Sequence, residues 1–374
     1  MSVANPDDLA GVLRVAPGQA RPHNLVSSRR DWATLLTHGV PAASLSSRLG
    51  SLFSLCGHAH RLCADMAVTA VLGRSAPAQL NVAQELQQET LREHVRRIGL
   101  DWPRQLAFGV VSEQARQQAH AALQQCPLFV PVASDLQQWL ETHLLGMPAQ
   151  EWLTQWEQDS AAWLRAWSNK NPGWLAGLLR QARPLADRAA PAAPFLRVHA
   201  SEAGLRVLAD CLVRQPGFTR QPLWRGQCAE TGPWTRLRQA TPEVINTPWL
   251  RLGSRLAELV RLALPDEPGR SGASWLTIGS MATARREGLA WVEMARGLLV
   301  HHVQLDGTGD NARVASCQVL APTEWNFHPQ GAVAQALEQL PTPSTSGVCR
   351  EVDLLFSAYD PCVKHEFLTE DCHA

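Results

Sequence analysis

The chain has 374 residues and no formal net charge, because basic and acidic side chains number 34 each. Its 45% hydrophobic content is enough for a large core, which excludes wholesale disorder. A neutral chain gives no electrostatic reason to expect nucleic acid as the main partner. Neither a secretory leader nor an apolar run of about 18 residues is visible. We therefore expect a cytoplasmic protein without membrane insertion.

The N-terminal half of the sequence is predicted to be mainly helical after a short extended beginning. Residues 1–43 contain short extended segments, and the apolar alternation at 11–18 predicts a strand that ends in Pro-Gly. A long helix is predicted from about Ser44 to about Gly73. Further helical patterns cover residues 80–99, 112–125, 133–145, 149–168, 202–214 and 248–264.

Four tryptophans are placed on one face of the helix predicted over residues 149–168. They are Trp152, Trp156, Trp163 and Trp167. The favoured interpretation is a bulky stripe that packs against a neighbouring helix. A face that stacks a ligand is the alternative.

The C-terminal third changes character and predicts a small β part. Two strand-like segments around the turn at 307–311 predict a hairpin over about 297–320. The fold class is therefore mainly α with a small α+β element. We divide the chain into an N-terminal extended segment (1–43), a helical part (44–265) and an α+β part (266–374), folded as one intertwined unit.

The first cluster that could carry chemistry lies in the long predicted helix. Cys56, His60 and Cys63 are spaced i, i+4 and i+7, which places them on one helical face. Thiolate and imidazole together suit soft or borderline metals. The alternative is that these cysteines are small core residues, and for Cys63 we favour that packing role.

The second cluster lies close to the C-terminal end of the sequence. Cys362 and His365 have a C-x-x-H spacing that lets two ligands converge on one ion. The chain has nine cysteines, an odd number. In a reducing compartment this favours metal-binding or reactive cysteines over structural disulfides.

Four segments resemble, in order, the motifs of [NiFe]-hydrogenase large subunits. Residues 55–57 (LCG) and 359–362 (YDPC) resemble the two metal-binding motifs of that family. Residues 293–302 (EMARGLLVHH) resemble its E-A-P-R-G-x-x-x-H-W stretch, and 321–329 (APTEWNFHP) resemble its V-P-[ST]-T-W-N-x-x-P stretch. The resemblance implies a large helical bundle like a trimmed large subunit, although residues 100–270 match none of these motifs.

The sequence departs from the family at the metal ligands. An active large subunit holds its metals with four cysteines, and the resemblance carries over only the first of each pair, Cys56 and Cys362. The second positions fall on Ala59 and His365, and Cys63 stands where the first motif has a histidine. A nickel–iron centre cannot be built in the usual way without two bridging thiolates. Hydrogen turnover and nickel binding are therefore not expected.

The segments that contact iron's diatomic ligands in the family are retained. The resemblance implies that Arg296 and Thr323, which follows Pro322, donate hydrogen bonds to the two cyanides of an Fe(CN)2(CO) unit. A bound cyanide nitrogen is an anionic acceptor that guanidinium and hydroxyl donors stabilise. The alternative is that Arg296 pairs with a carboxylate such as Glu293 and Thr323 caps a turn.

The combination resembles accessory maturation proteins of the HupK/HoxV type. This resemblance implies a non-enzymatic scaffold that transiently carries the Fe(CN)2(CO) unit towards the [NiFe]-hydrogenase large subunit. Its partners would be the accessory chaperones of the iron-delivery complex and the acceptor large subunit. Cys56 and Cys362 would be the thiolate ligands, and His365 a third ligand or proton acceptor. His60 and Cys63 are weaker candidates.

Two other hypotheses stay open at the level of sequence. One is a metal-free interaction module that mimics the large subunit to recruit assembly chaperones, with the Trp-rich helix at 149–168 as a binding surface. The other is a structural zinc protein that uses the same cysteines and histidines. The carrier hypothesis requires Cys56 and Cys362 to meet in the folded protein.

Overall fold

The computed structural model describes residues 10–74, 79–107, 110–131, 135–237, 240–265, 275–342 and 346–368. The helices are α1 (Trp32–Thr37), α2 (Leu45–Leu52), α3 (Gly57–Leu72), α4 (Gln79–Arg96), α5 (Trp102–Gln105), α6 (Val110–Leu123), α7 (Leu136–Leu140), α8 (Ala149–Gln158), α9 (Ser160–Lys170), α10 (Trp174–Ala186), α11 (Glu202–Arg214), α12 (Pro248–Ala263), α13 (Pro322–Asn326), α14 (Ala332–Glu338) and α15 (Ser346–Tyr359). The strands are β1 (Leu13–Val15), β2 (Leu25–Ser27), β3 (Ile278–Ala284), β4 (Glu287–Met294), β5 (Gly297–Asp306), β6 (Arg313–Leu320) and β7 (His365–Phe367).

The mainly α class with a small β part is confirmed. Sequence analysis missed α10, whose buried residues recur at helical spacing (Leu175, Leu178, Leu179 and Ala182). A bundle arrangement of the helices stays a prediction. In the described part of the chain, none of the helices has the length and apolar character needed to span a bilayer.

The single long helix predicted from Ser44 to Gly73 is wrong, because the chain breaks between α2 and α3. Residues Ser54–Cys56 form a short 3-10 turn, so Cys56 precedes α3 instead of lying within a helix. The two helices cross closely at a pair of glycines. A Cβ on Gly57 would lie 2.6 Å from the carbonyl oxygen of Gly50. This close approach requires a residue without a side chain directly after the cysteine.

The tryptophan stripe packs in the core, as the favoured interpretation predicted. Its helix is also divided, because the Asp159 side chain caps α9 by accepting from the amide of Ala162 at 2.9 Å. Trp152, Trp156 and Trp167 are buried, and the Trp152 ring contacts the other two, with centroids 5.8 Å from Trp156 and 5.7 Å from Trp167. These three rings therefore offer little surface to a ligand or partner.

The predicted hairpin is part of a larger sheet, in which β3, β4, β5 and β6 form an antiparallel meander. Helix α3 packs on one face, and Gly288 lets it come close, since a Cβ there would lie 2.5 Å from the carbonyl oxygen of Ala67. Alternate residues of β5 point to opposite faces. Leu299 accordingly joins the main core, and Leu298 joins a smaller cluster with α11.

A second sheet joins the two ends of the described chain. Its order is β2-β1-β7, with β1 and β2 antiparallel and β1 and β7 parallel. The amide of Leu13 donates to the carbonyl of Lys364 at 3.0 Å, and that of Leu368 to Val15 at 2.9 Å. The segment that carries Cys362 is thereby held against the N-terminal strands. The main core contains residues from all three predicted parts of the chain, and the division itself stays a prediction.

Helix α12 passes through the core and carries charged side chains into it. Nearly all of its residues are buried, including Arg251, Arg255 and Glu258. Arg251 donates to Glu230 at 2.8–3.1 Å, and the hydroxyl of Tyr359 donates to the same carboxylate at 3.1 Å. Buried charges of this kind are tolerated because each one meets an opposite charge.

Most cysteines of the described residues are free thiols. They are Cys56, Cys63, Cys126, Cys211, Cys228, Cys317 and Cys362. Cys349 is disulfide-bonded, so the expectation of free cysteines throughout is wrong at that position. Burial raises the pKa of Cys317 to about 12, which is typical of an unreactive core thiol.

Candidate functional site

The structure brings Cys56 and Cys362 into one site, as the carrier hypothesis requires. Cys362 lies close enough to contribute to the raised pKa of Cys56, and both cysteines act electrostatically on Arg29 and Arg296. The two cysteines are separated by 306 positions in the numbering. Two features of the fold position these distant segments. The break between α2 and α3 sets the position of Cys56, and the pairing of β1 with β7 sets that of Cys362.

Cys56 is buried at the beginning of α3, with 6% of its surface exposed. The carboxylate of Glu89 accepts the amide hydrogens of His58 and Ala59 at 2.8 and 2.9 Å, which caps the same helix end. Burial raises the pKa of Cys56 to about 12, with Arg296 acting in the opposite direction and Glu89 adding to the rise. The thiol is therefore protonated at neutral pH until a cation approaches it.

Cys362 is half-buried and is held by the first turn of α13. The hydroxyl of Thr323 donates to the Cys362 sulfur at 3.3 Å and accepts the Cys362 amide at 3.3 Å. Pro322 is at the first position of α13, where its fixed φ suits the start of a helix. Asp360 has a φ of 50°, a left-handed conformation that turns the chain immediately before Pro361 and Cys362.

Arg296 lies in the tight turn between β4 and β5 and is 3% exposed. Its Nη1 lies 3.0 Å from Oε2 of Glu93, and its Nε lies 3.4 Å from Oδ2 of Asp360. Burial disfavours its charge, but Asp360 and Glu93 outweigh burial and raise the pKa of Arg296. The alternative that Arg296 pairs with a carboxylate is confirmed, but the partners are Glu93 and Asp360, whereas Glu293, the example named, accepts the amide of Thr277 at 3.0 Å.

Asp360 is the centre of a buried charged cluster, defined as Glu93, Arg97, Arg255, Arg296 and Asp360. Oxygens of Asp360 lie 2.5 Å from Arg97, 2.8 Å from Arg255 and 3.4 Å from Arg296. Burial alone would raise the pKa of Asp360, but these three arginines hold it well below its usual range. The carboxylate is therefore charged at neutral pH and orients Arg296 next to the cysteines.

A second layer of buried groups supports this charged cluster. Nη1 of Arg255 donates to Nδ1 of His94 at 3.0 Å, so Nε2 of a neutral His94 donates to Glu258 at 2.8 Å. Arg236 also binds Glu258 through two nitrogens. Burial acts against ionisation of Glu258, but Arg236 and His94 lower its pKa to about 2. The charged cluster is thus anchored in α12.

The two weaker metal candidates have local partners in the core. Nδ1 of His60 lies 3.0 Å from Nε2 of His301, and the His60 ring stacks on Phe53 with centroids 4.0 Å apart. Burial lowers the pKa of both histidines, to about 3 for His301, so both are neutral. The thiol of Cys63 donates to the carbonyl of Ala290 at 3.3 Å, which fits its favoured packing role.

His365 has a carboxylate as its polar partner and no cysteine. Its Nε2 lies 3.0 Å from Oδ1 of Asp353, and its ring lies over Phe356 at 4.3 Å between centroids. Its role as a third ligand stays a prediction. Within the described ranges, no three His, Cys, Asp or Glu side chains form a group that could hold a metal ion, and a zinc site built from them is therefore not supported.

Three charged residues of the site were missed by sequence analysis: Arg29, Glu89 and Glu93. Arg29 follows β2 in the segment Ser-Ser-Arg-Arg, which matches no motif. Glu89 and Glu93 are four residues apart on the polar helix α4, so they resemble ordinary surface charges in sequence. A signal is present only in the spacing that puts both carboxylates on one face of α4.

The fold and the paired cysteine segments define the class of hydrogenase large-subunit-like proteins. The chain is similar to the [NiFeSe] hydrogenase G50T variant from Desulfovibrio vulgaris Hildenborough, with a TM-score of 0.58, 14% identity and coverage of 94% of this chain and 93% of that one. An NAD+-reducing [NiFe]-hydrogenase in the H2-reduced state gives a TM-score of 0.51 at 13% identity, covering 89% and 90%. At these identities the likeness shows the fold alone.

Sequence relatives identify the family within this class. The chain is 39% identical to the hydrogenase expression/formation protein HoxV of Cupriavidus necator over 98% of both chains. It is 32% identical to the hydrogenase expression/formation protein HupK of Bradyrhizobium diazoefficiens over 88% of both. No family model matches the sequence. The chain belongs to the HoxV/HupK family of hydrogenase expression/formation proteins, which confirms the resemblance found in the sequence.

Proposed function

We propose that this protein is a hydrogenase maturation scaffold that carries the Fe(CN)2(CO) unit as its cargo and helps to transfer it to a [NiFe]-hydrogenase large subunit. The observation that carries this proposal is the convergence of Cys56 and Cys362 beside the buried guanidinium of Arg296. Family membership supports the maturation role, since the relatives are named for hydrogenase expression and formation.

Two thiols suit a carrier better than four would. Cysteine binds metals as the thiolate, so cargo binding must release the proton of Cys56. With a Cys56 pKa of about 12, the empty site holds a neutral thiol there, and ionisation of Cys56 is coupled to the arrival of the metal. Fewer thiolate bonds also leave the cargo easier to remove by an acceptor that offers more of them.

The environment of the thiols suits the anionic ligands of the cargo. Arg296 is buried and is held in place by Glu93 and Asp360. A guanidinium in a dry site forms strong charge-assisted hydrogen bonds with an anionic acceptor such as a bound cyanide. We propose that Arg296 donates to one cyanide, and that Pro322 and Thr323 shape the opposite end of the site.

The accessory role rather than catalysis follows from the replaced ligands. Ala59 occupies the position of one bridging cysteine, is fully buried on α3 and has no donor atom to offer a metal. His365 occupies the other and bonds to Asp353. The proposed partners are therefore the chaperones that deliver the iron unit and the large subunit that accepts it, with nickel added elsewhere.

Infrared spectroscopy on protein purified anaerobically after co-expression with a hydrogenase operon tests this function. Metal-bound CO and cyanide absorb in a window where protein is nearly silent. We expect bands of both ligands in the wild-type protein and their loss in Cys56→Ala and Cys362→Ala. Cys211→Ala is the matched control, because Cys211 is a partly exposed free thiol on α11.

Two results would contradict the proposal. A wild-type protein without CO and cyanide bands would favour the metal-free interaction module. Bands that survive in the Cys56→Ala and Cys362→Ala double variant would show that other groups hold the cargo.

A further inference from the structure

A second guanidinium, that of Arg29, lies at the cysteines and has no counterpart in the motifs of the sequence. Its Nη1 lies 2.8 Å from Oε1 of Glu324, and both side chains are largely buried. Glu324 directly follows Thr323, whose hydroxyl contacts the Cys362 sulfur at 3.3 Å, so this ion pair places the Arg29 guanidinium near the cysteines, and Cys362 and Cys56 both act electrostatically on it. Arg29 is therefore influenced by the same pair of thiols as Arg296, although it comes from the segment after β2.

Both arginines have donor atoms that the described residues do not satisfy. Three atoms are buried without a hydrogen bond of good geometry in the described part of the chain. They are Nη1 of Arg29, Nε of Arg296 and Oε2 of Glu324. Buried donors without an acceptor are uncommon and cost free energy. Each nitrogen lies near a carboxylate oxygen, at 2.8 Å for Arg29 and 3.4 Å for Arg296, but with poor hydrogen-bond alignment, so a better-aligned anionic guest would compete for both donors.

Thr323, the second cyanide donor implied by the resemblance, is already occupied. Its hydroxyl donates its single hydrogen to the Cys362 sulfur at 3.3 Å. The same oxygen accepts the Cys362 amide at 3.3 Å. To donate to a cyanide, Thr323 would have to release the sulfur that it orients, so its contacts fit a positioning residue.

The charge of the cargo also requires a second cation. Iron(II) with two cyanides and two thiolates carries two net negative charges, and their burial must be compensated. Arg296 is already shared between two carboxylates, Glu93 and Asp360. Among the described residues, the carboxylate paired with Arg29 is that of Glu324, and burial raises the pKa of that carboxyl group.

We infer that Arg29, rather than Thr323, is the second hydrogen-bond donor to the anionic ligands of the cargo, with Glu324 as its partner in the empty site. This inference rests on the proposed carrier function. It assigns one cyanide to Arg296 and the other to Arg29. It also assigns Thr323 to holding Cys362 in place.

Infrared spectra and iron content of Arg29→Gln, purified as above, test the inference. We expect one of the two cyanide bands to shift and the retained iron to fall roughly tenfold, the effect of losing one charge-assisted hydrogen bond. Thr323→Val is expected to lower the amount of cargo but to leave both cyanide bands in position. Arg30→Gln is the matched control, since Arg30 is the exposed neighbour that lies over Trp32.

The outcomes separate this inference from the function on which it rests. Wild-type cyanide bands and iron content in Arg29→Gln would overturn the assignment of Arg29 and leave the carrier function intact. A wild-type protein without any such bands would overturn both. If Arg29→Gln fails to fold, Glu324→Gln decides, because it frees Arg29. More retained iron together with a shift of one of the two cyanide bands in Glu324→Gln supports the inference, and unchanged iron and bands overturn it.

Discussion

Two regions next to Cys56 bury titratable groups in opposite states of ionisation. In the charged cluster around Asp360, every group stays ionised, because each charge meets an opposite one within 2.5–3.4 Å. In the imidazole pair, defined as His60 and His301, both rings stay neutral, and Nδ1 of His60 lies 3.0 Å from Nε2 of His301. The free-energy cost of burying a charge is offset by ion pairing in the first region and is avoided in the second because the rings are neutral.

A buried anion is accommodated in this protein where a buried cation lies nearby. The charged cluster presents Arg296, whose cation survives burial because carboxylates surround it. The two rings of the imidazole pair are buried and neutral, so they fill space in the core and add no charge. A thiolate or an anionic cargo is therefore stabilised from the arginine side of the site, and the two regions should respond differently to mutation and to pH.

The largest effect is expected from removing the centre of the charged cluster. Asp360→Ala leaves Arg97, Arg255 and Arg296 without their common partner and should lower the free energy of unfolding by about 3–5 kcal/mol. Urea unfolding measures this change. The control is Asp310→Ala, which breaks the exposed pair with Arg74 and should cost about 0–1 kcal/mol. Equal effects in the two variants would show that the buried ion pairs add nothing to stability.

A smaller effect is expected at the glycine crossing that sets the position of Cys56. Gly57→Ala places a Cβ 2.6 Å from the Gly50 carbonyl oxygen and should destabilise the protein by about 1–3 kcal/mol in thermal or urea unfolding. Gly177→Ala is the control on α10, where the nearest atom lies 3.8 Å away, and it should stabilise by about 0.5–1 kcal/mol. A neutral Gly57→Ala would mean that the crossing of α2 and α3 tolerates separation.

The imidazole pair should make stability fall in mild acid. Burial lowers the pKa of His301 to about 3, so above pH 6.5 the folded and unfolded states bind the same number of protons at this ring. As the pH falls from 6.5 to 5, only the unfolded state gains a proton there, and stability should drop by about 2 kcal/mol. Unfolding at the two pH values measures the drop.

The same measurement on variants assigns the effect to the buried ring. His301→Gln should reduce the loss of stability between pH 6.5 and pH 5. His120→Gln, which changes an exposed histidine on α6, should leave that loss as it is in the wild type. A pH dependence that is the same in all three proteins would contradict the role of His301.

The smallest expected effect is a difference in alkylation rate between Cys56 and Cys362 in the folded protein without cargo. Cys362 is half-buried, whereas Cys56 is 6% exposed and burial raises its pKa to about 12. Iodoacetamide at pH 8 should therefore label Cys362 roughly tenfold faster than Cys56, as followed by peptide mass spectrometry. Cys317 is the buried control and should stay unlabelled. Faster labelling of Cys56 would show that its end of α3 opens in solution.

The chemistry of single segments could be predicted from the sequence because it depends on residue type and spacing. The order of the four motifs identified the family, and the apolar alternation around residues 307–311 predicted the hairpin between β5 and β6. The favoured packing role of Cys63 agrees with its buried contact to Ala290. The hairpin inference uses only neighbours within one pair of strands, that for Cys63 uses residue type and position on a helix, and that for the family uses short motifs and their order.

Only the tertiary structure decided which charges share the site. Arg29 and Glu93 come from distant parts of the chain, and nothing in their local sequence distinguishes them from surface residues. The break before Gly57 escaped prediction for the same reason, because it depends on the close approach of α2 and α3. Helical periodicity records which face of a helix is buried, but it contains no information about the partner. The sequence thus determined the family and the two cysteines, and long-range packing decided the charges that surround them.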